Sequence, residues 1–217
     1  MSTVTLTGLL LGILLGMRHA LEPDHIAAVS TLVLESGSSR RGMILGAFWG
    51  IGHSLSLLVV GCLLAVLHAE LPEWLARGFE LAVAVMLLVL GLRAFAFALR
   101  ALSMEPPETR ARTRSLASRP FAFGIIHGLA GSGTLTALVV AELPSTAARV
   151  GYIGLFGIGS IIGMASLSGL AGWPLARLGR RRSVAAGITF LTGSLSFGLG
   201  VVLLWPFASR ALHLSTS

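Results

Sequence analysis

Six apolar runs, at about 4–33, 42–68, 75–101, 120–142, 148–172 and 184–207, leave this 217-residue chain few ways to fold. Each holds the ~20 residues that a helix needs to cross a ~30 Å hydrocarbon core. In hydrocarbon a backbone must satisfy its own N–H and C=O groups, which a helix does along its whole length. The expected fold is an all-α integral membrane protein of six transmembrane helices. Charged residues are only 12% of the chain, against roughly 25% in soluble domains, so a single transmembrane domain spanning 1–217 is expected with no soluble domain beside it.

The first run has no basic residues at its start and no small-residue cleavage site before residue 19, which reads as a retained helix rather than a signal peptide. Cys62 is the single cysteine, so an intramolecular disulfide is excluded and paired-thiol electron carriage is disfavoured. The basic residues are all arginine, and their distribution follows the membrane. Arg40, Arg41, Arg100, Arg110, Arg112, Arg114, Arg119, Arg177, Arg180, Arg181 and Arg182 border one set of loops; the alternate loops and tail hold Arg77, Arg149 and Arg210. By the positive-inside rule this predicts a multi-pass protein of the cytoplasmic membrane with both termini outside. The net charge of +7 is then topogenic, and a nucleic-acid partner is not expected.

Inside the first run stands His19-Ala-Leu-Glu22-Pro23-Asp24-His25, which contains the sole aspartate of the chain. An ionisable group at the bilayer centre costs at least ~2.5 kcal/mol, so it is expected where it binds or conducts something. On an unbroken helix Asp24 and His25 point well away from His19. Pro23 lacks an N–H and clashes with the carbonyl of His19, so the helix is predicted to break there, freeing that carbonyl and letting the three side chains converge. His53 in the second run and His127 in the fourth add two more intramembrane imidazoles. His53 follows Gly42, Gly46 and Gly50, a ridge expected to press it against the first or fourth span. Glu22 and Arg18 are spaced to pair at i, i+4. His68 and His213 lie at outer boundaries and join no cluster.

The chain echoes itself. A shift of 108 residues carries Gly16, His19 and Leu21 onto Gly124, His127 and Leu129; a shift of 107 carries Gly50 and Gly52 onto Gly157 and Gly159. Repeat one is drawn at about 1–102, a cytoplasmic connector at 103–119 and repeat two at about 120–217. Three spans per repeat is an odd number, so the second copy enters the membrane inverted, as in many transporters. Opposite the Pro23 break stand Gly131, Ser132 and Gly133, which read as a second unwound stretch. In the third span, 82–90 has no polar side chain and reads as a wall facing lipid. The hydroxyls of the sixth, Thr189, Thr192, Ser194 and Ser196, read as partners for helix backbone.

Neutral imidazoles with a carboxylate and no thiolate suit Ni²⁺, Co²⁺ or Zn²⁺ better than Cu(I). The candidate metal ligands are His19, Asp24, His25, His53 and His127, with Glu22, Ser54 and Ser132 along a transport pathway. Two other readings stay open on these residues: a metal-dependent intramembrane enzyme, and a metal exporter. A serine hydrolase built on Ser132 and His127 lacks the rest of a catalytic constellation.

His19-Ala-Leu-Glu-Pro-Asp24-His25 resembles the H-x4-D-H signature of the nickel/cobalt transporter family. The run Gly46-Ala-Phe-Trp-Gly-Ile-Gly52-His53-Ser54 resembles its second motif, a Gly-rich helix ending in Gly-His-Ser. With six spans the chain is most similar to that family's short urease-accessory (UreH-like) branch. The resemblance implies a permease rather than an enzyme, with Ni²⁺ first and Co²⁺ second as substrate, no cofactor, and the lipid bilayer as surroundings. Longer relatives carry acidic residues in their second-half motifs; here 124–140 and 157–169 hold none.

Overall fold

The structure, a computed structural model, describes residues 3–34, 38–67, 71–102, 117–130, 143, 145–178 and 182–215. Among the described residues there are seven helices: α1 (Thr3–His19), α2 (Pro23–Leu34), α3 (Ser39–Leu67), α4 (Glu73–Leu102), α5 (Ser118–Ala130), α6 (Thr146–Leu178) and α7 (Arg182–Ser215). No strand occurs among the described residues. Four helices among the described residues are long and apolar enough to cross a bilayer, within Ser39–Leu64, Glu73–Arg100, Thr146–Gly172 and Ser183–Ser209. The chain is thus a multi-pass membrane protein whose described elements are all helices. The first expected span is divided into α1 and α2. Of the fourth, α5 is described; the remainder, with Gly131, Ser132 and Gly133, lies outside the described residues, as does 103–116 of the connector.

Pro23 divides the first span as its chemistry requires. It takes the first position of α2, where a missing N–H costs nothing. The carbonyl of His19 is not left free, however. It accepts the Glu22 N–H at 3.0 Å, while Leu21 N–H donates to Arg18 at 2.9 Å, so α1 closes in a tight turn and α2 restarts with Ile26 N–H on the Glu22 carbonyl.

Among the described residues α3 and α6 pack most extensively on each other, with α1 on α6 and α5 on α3, while α4 lies on α7. Close glycine contacts give the directions. Gly12 meets Tyr152, Gly16 meets Phe156 and Ser160, and Gly163 meets Ala20, so α1 and α6 run parallel. Gly124 against Trp49 and Gly128 against His53 and Ser56 make α5 parallel to α3. Gly46 against Met164 and Ser168, with Gly61 against Ile153, makes α3 antiparallel to α6. The α1 start and the α7 end therefore share one face. Arg40, Arg41, Arg100, Arg119 and Arg182 stand at helix ends on the opposite face.

His53 lies beside His19 of the first span and His127 of the fourth, as expected, although Gly46 and Gly50 of the ridge themselves pack on α6, the fifth span, through Ile161, Met164 and Ser168; Gly52, one position before His53, brings α5 close. One expectation is corrected. The third span is not simply a lipid wall. Val83, Ala84, Met86, Leu87 and Leu90 are buried, and Leu81, Val85, Val89 and Leu92 on the other side are exposed. The hydroxyls of α7 do bond backbone: Thr189 donates to Ala185, Thr192 to Thr189, and Ser196 crosses to Ala27 on α2 at 3.0 Å.

Candidate metal centre

Four imidazoles meet where α1 ends and α2 begins. His19 is the last residue of α1, His25 lies in the first turn of α2, His53 is near the middle of α3 and His127 near the end of α5. His25, His53 and His127 are fully buried and His19 is 4% exposed. Ring centroids are 4.3 Å apart for His19 and His25, 5.0 Å for His19 and His53, 5.2 Å for His25 and His53, and 4.2 Å for His25 and His127. The α1–α2 turn makes this convergence possible, because it redirects His25 onto the side from which His19 faces α3. Bare glycine surfaces bring the remaining helices near: Gly52 lies on the Phe121 carbonyl and Gly124 on that of Trp49, close to His53 N.

Two carboxylates hold one edge of this cluster. Glu22 lies 2.9 Å from His19 Nδ1, at i, i+3, and no Arg18–Glu22 pair forms among the described residues. Asp24 Oδ1 accepts from His25 Nδ1 at 3.1 Å and from the His25 backbone N–H at 2.9 Å; its Oδ2 lies 3.0 Å from His127 Nε2. An ionised carboxylate accepts only, so each nitrogen facing one must carry the proton, and the lone pair of a neutral ring is left on its other nitrogen. Those other nitrogens, His19 Nε2, His25 Nε2 and His127 Nδ1, together with both nitrogens of His53, are buried and have no hydrogen-bond partner. Such atoms are rare in folded proteins and call for an explanation.

Two groups of donor atoms result, sharing His25: His19, His25 and His53, and Asp24, His25 and His127, each with its ligand atoms within 4.8 Å of one another. The first is three neutral nitrogens; the second contains the hydrogen-bonded carboxylate. All five candidate ligands are therefore brought together, Asp24 and His127 through one hydrogen bond to each other. Glu22 is 41% exposed in its side chain and so reaches from the cluster toward its surroundings. Ser54 stands apart, its hydroxyl donating to the Gly157 carbonyl at 2.8 Å and tying α3 to α6. Ser132 lies outside the described residues.

Two aromatic residues that sequence reasoning passed over line the cluster. Phe156 of α6 lies 5.4 Å from His19, and Trp49 of α3 lies 5.7 Å from His127 and 6.3 Å from His25. Being apolar in an apolar chain, neither stands out by composition. The signal that finds them is the 107-residue shift, which places one on the other.

No family model and no solved structure matches the chain. It is 31% identical over 207 residues to the urease accessory protein UreH of Bacillus sp. (strain TB-90), covering 89% of this chain and 88% of that protein. It is 28% identical over 214 residues to the Arabidopsis thaliana chloroplast protein FOR GROWTH AND FERTILITY 2, spanning 57% of that longer protein. A segment amounting to 39% of this chain is 32% identical to a high-affinity nickel transport protein of Cupriavidus necator, over 24% of its length.

Proposed function

The chain belongs to the nickel/cobalt transporter family, in the branch of the urease accessory protein UreH, and from that premise we propose that it is a permease for divalent transition-metal ions, Ni²⁺ before Co²⁺. One observation carries the reading: three buried imidazole lone pairs without partners, contributed by α1, α2 and α3. The ion sheds part of its water onto His19, His25 and His53. Nitrogen–metal distances of about 2.0–2.1 Å allow donors at most about 4.2 Å apart, so the pocket draws in slightly on binding. Asp24, the more buried of the two carboxylates at the site, orients His25 and offsets the dication; His127 holds Asp24 from α5 and completes the second donor group. Carboxylates behind ligating imidazoles are a recurrent arrangement in metal sites. Glu22 does the same for His19 and serves the approach of the ion.

The transport cycle we infer uses two inverted halves, 1–102 and 120–217, within one membrane domain. Equivalent contacts support it. Gly16 lies against the Phe156 carbonyl and Ser160 N; its counterpart Gly124 lies against the Trp49 carbonyl and His53 N, the counterparts of those two residues. Gly159 on the Ile13 carbonyl and Gly52 on the Phe121 carbonyl form a second such pair. Rocking of one half on the other then exposes the site to each face in turn. The arginine-bearing face is the cytoplasmic one by the positive-inside rule, with both termini outside the cytoplasmic membrane. Purified protein in vesicles, assayed for Ni²⁺, Co²⁺, Zn²⁺ and Mn²⁺ flux, tests the proposal. Ni²⁺ and Co²⁺ flux that vanishes in His25→Ala is expected, and flux unaffected by that substitution refutes it.

A further inference from the structure

We propose that Phe156 and Trp49 are the two gates of the metal site, Phe156 closing it toward the face where α1 and α6 begin and Trp49 toward the face where α3 begins. The inference rests on the metal site and repeat relation proposed above. Each ring is packed against the imidazoles and sealed from its surroundings: Phe156 is 4% exposed and Trp49 fully buried. Phe156 stands against His19, and Trp49 against His25 and His127. Their helices run in opposite directions. Phe156 precedes Ser160 by one turn, and Trp49 precedes His53 by one turn, so each ring lies about 6 Å toward the start of its own helix. Helical side chains lean toward the helix N-terminus, which carries the rings farther apart. The imidazoles are thus bracketed between two aromatic plugs at equivalent positions of the two halves.

A ring offers a hydrated dication no lone pair to replace the water it must shed, and apolar constrictions close a pore by excluding water. The backbone at both plugs is held, because Gly16 lies on the Phe156 carbonyl and Gly124 on the Trp49 carbonyl. Opening therefore begins with rotation of the side chain, and rocking of the halves follows it. Two orphaned polar atoms mark the way out. Trp49 Nε1 is buried without a hydrogen-bond partner and gains one if the indole swings to water. The Tyr152 hydroxyl, buried and likewise without a partner, lies one turn beyond Phe156 toward the same face and offers an oxygen to an ion passing that gate.

The test uses the full chain in vesicles with Cys62→Ser and Ser160→Cys, Ser160 being fully buried one turn from Phe156. A membrane-impermeant methanethiosulfonate reagent is applied from one face at a time. A minor open conformer is populated at about 0.1–10%, so removing a gate raises labelling about tenfold or more. Phe156→Ala is expected to do this only from the face where α1 begins, and Trp49→Ala only from the opposite face; Phe156→Trp and Trp49→Phe keep the parental rates. If either alanine variant fails to reach the membrane, Phe156→Leu and Trp49→Leu make the same comparison. A rise from the wrong face, an equal rise from both, or no rise in variants present in the membrane overturns the gates. Ni²⁺ binding to purified parent protein, measured by calorimetry, separates the two claims. Side-selective labelling in a protein that binds no Ni²⁺ defeats the metal site and leaves the gates, whereas intact binding with unselective labelling defeats the gates alone.

Discussion

A neutral imidazole with one nitrogen donating to a carboxylate presents a more basic lone pair on the other, and His19 and His25 both have that form. His19→Ala and His25→Ala are therefore expected to abolish Ni²⁺ accumulation with protein still present in the membrane, as read by uptake and immunoblot on the same cells. Asp24→Asn keeps the shape but replaces an acceptor of two imidazole N–H groups with a neutral amide that has a single acceptor oxygen. Losses of about 10–100-fold in metal affinity are typical for such outer partners, and calorimetric titration with Ni²⁺ is expected to fall in that range. His127→Ala removes one of the hydrogen bonds to Asp24 and leaves His19, His25 and His53 in place, so a smaller loss than for Asp24→Asn is expected. Equal losses would assign His127 to direct ligation. Which residues to bring into one candidate cluster was legible from rarity alone, since the one aspartate and four imidazoles sit in apolar runs. That Asp24 also faces the edge of His127 was not legible, because that pairing depends on where α5 packs.

The element that makes the site is the turn between α1 and α2, and its cause is local. Pro23 has no N–H to continue the ladder, so the chain must turn, whatever surrounds it. Pro23→Ala restores the donor and is expected to extend α1 into α2, carrying His25 away from His19; Ni²⁺ uptake falls while membrane levels hold. Full uptake in that variant would mean that packing rather than proline sets the turn. The α1–α6 and α3–α5 contacts depend on glycine instead. A side chain at Gly16 or Gly124 meets a neighbouring carbonyl, and overpacking of this kind costs about 1–3 kcal/mol. Gly16→Leu and Gly124→Leu are expected to lower the unfolding midpoint in detergent by similar amounts, given their equivalent places. The misassigned face of α4 has a physical reason too. Lipid and protein interior are equally apolar, so an all-apolar helix carries no stripe showing which side packs on α7.

For the molecule as a whole, the proposed inverted halves and arginine asymmetry lead to a thermodynamic expectation. A dication moving inward across 100 mV, inside negative, gains about 4.6 kcal/mol, twice the ~2.3 kcal/mol per charge. Ni²⁺ accumulation in vesicles should therefore rise with an imposed potassium-diffusion potential and collapse when it is dissipated; accumulation indifferent to potential would point to a coupled ion. By itself the sequence determined that the chain crosses the membrane, that its first span breaks at Pro23 and that His19, Asp24, His25, His53 and His127 are the exceptional residues, because hydropathy, a missing N–H and desolvation cost are properties of residues and their near neighbours. Only the tertiary structure decided that α3 and α6 pack together at the centre, which imidazole nitrogens remain unpartnered, and that Phe156 and Trp49 line the cluster. Those facts depend on which apolar faces meet, and apolar faces in a bilayer are chosen by shape, which no residue carries alone.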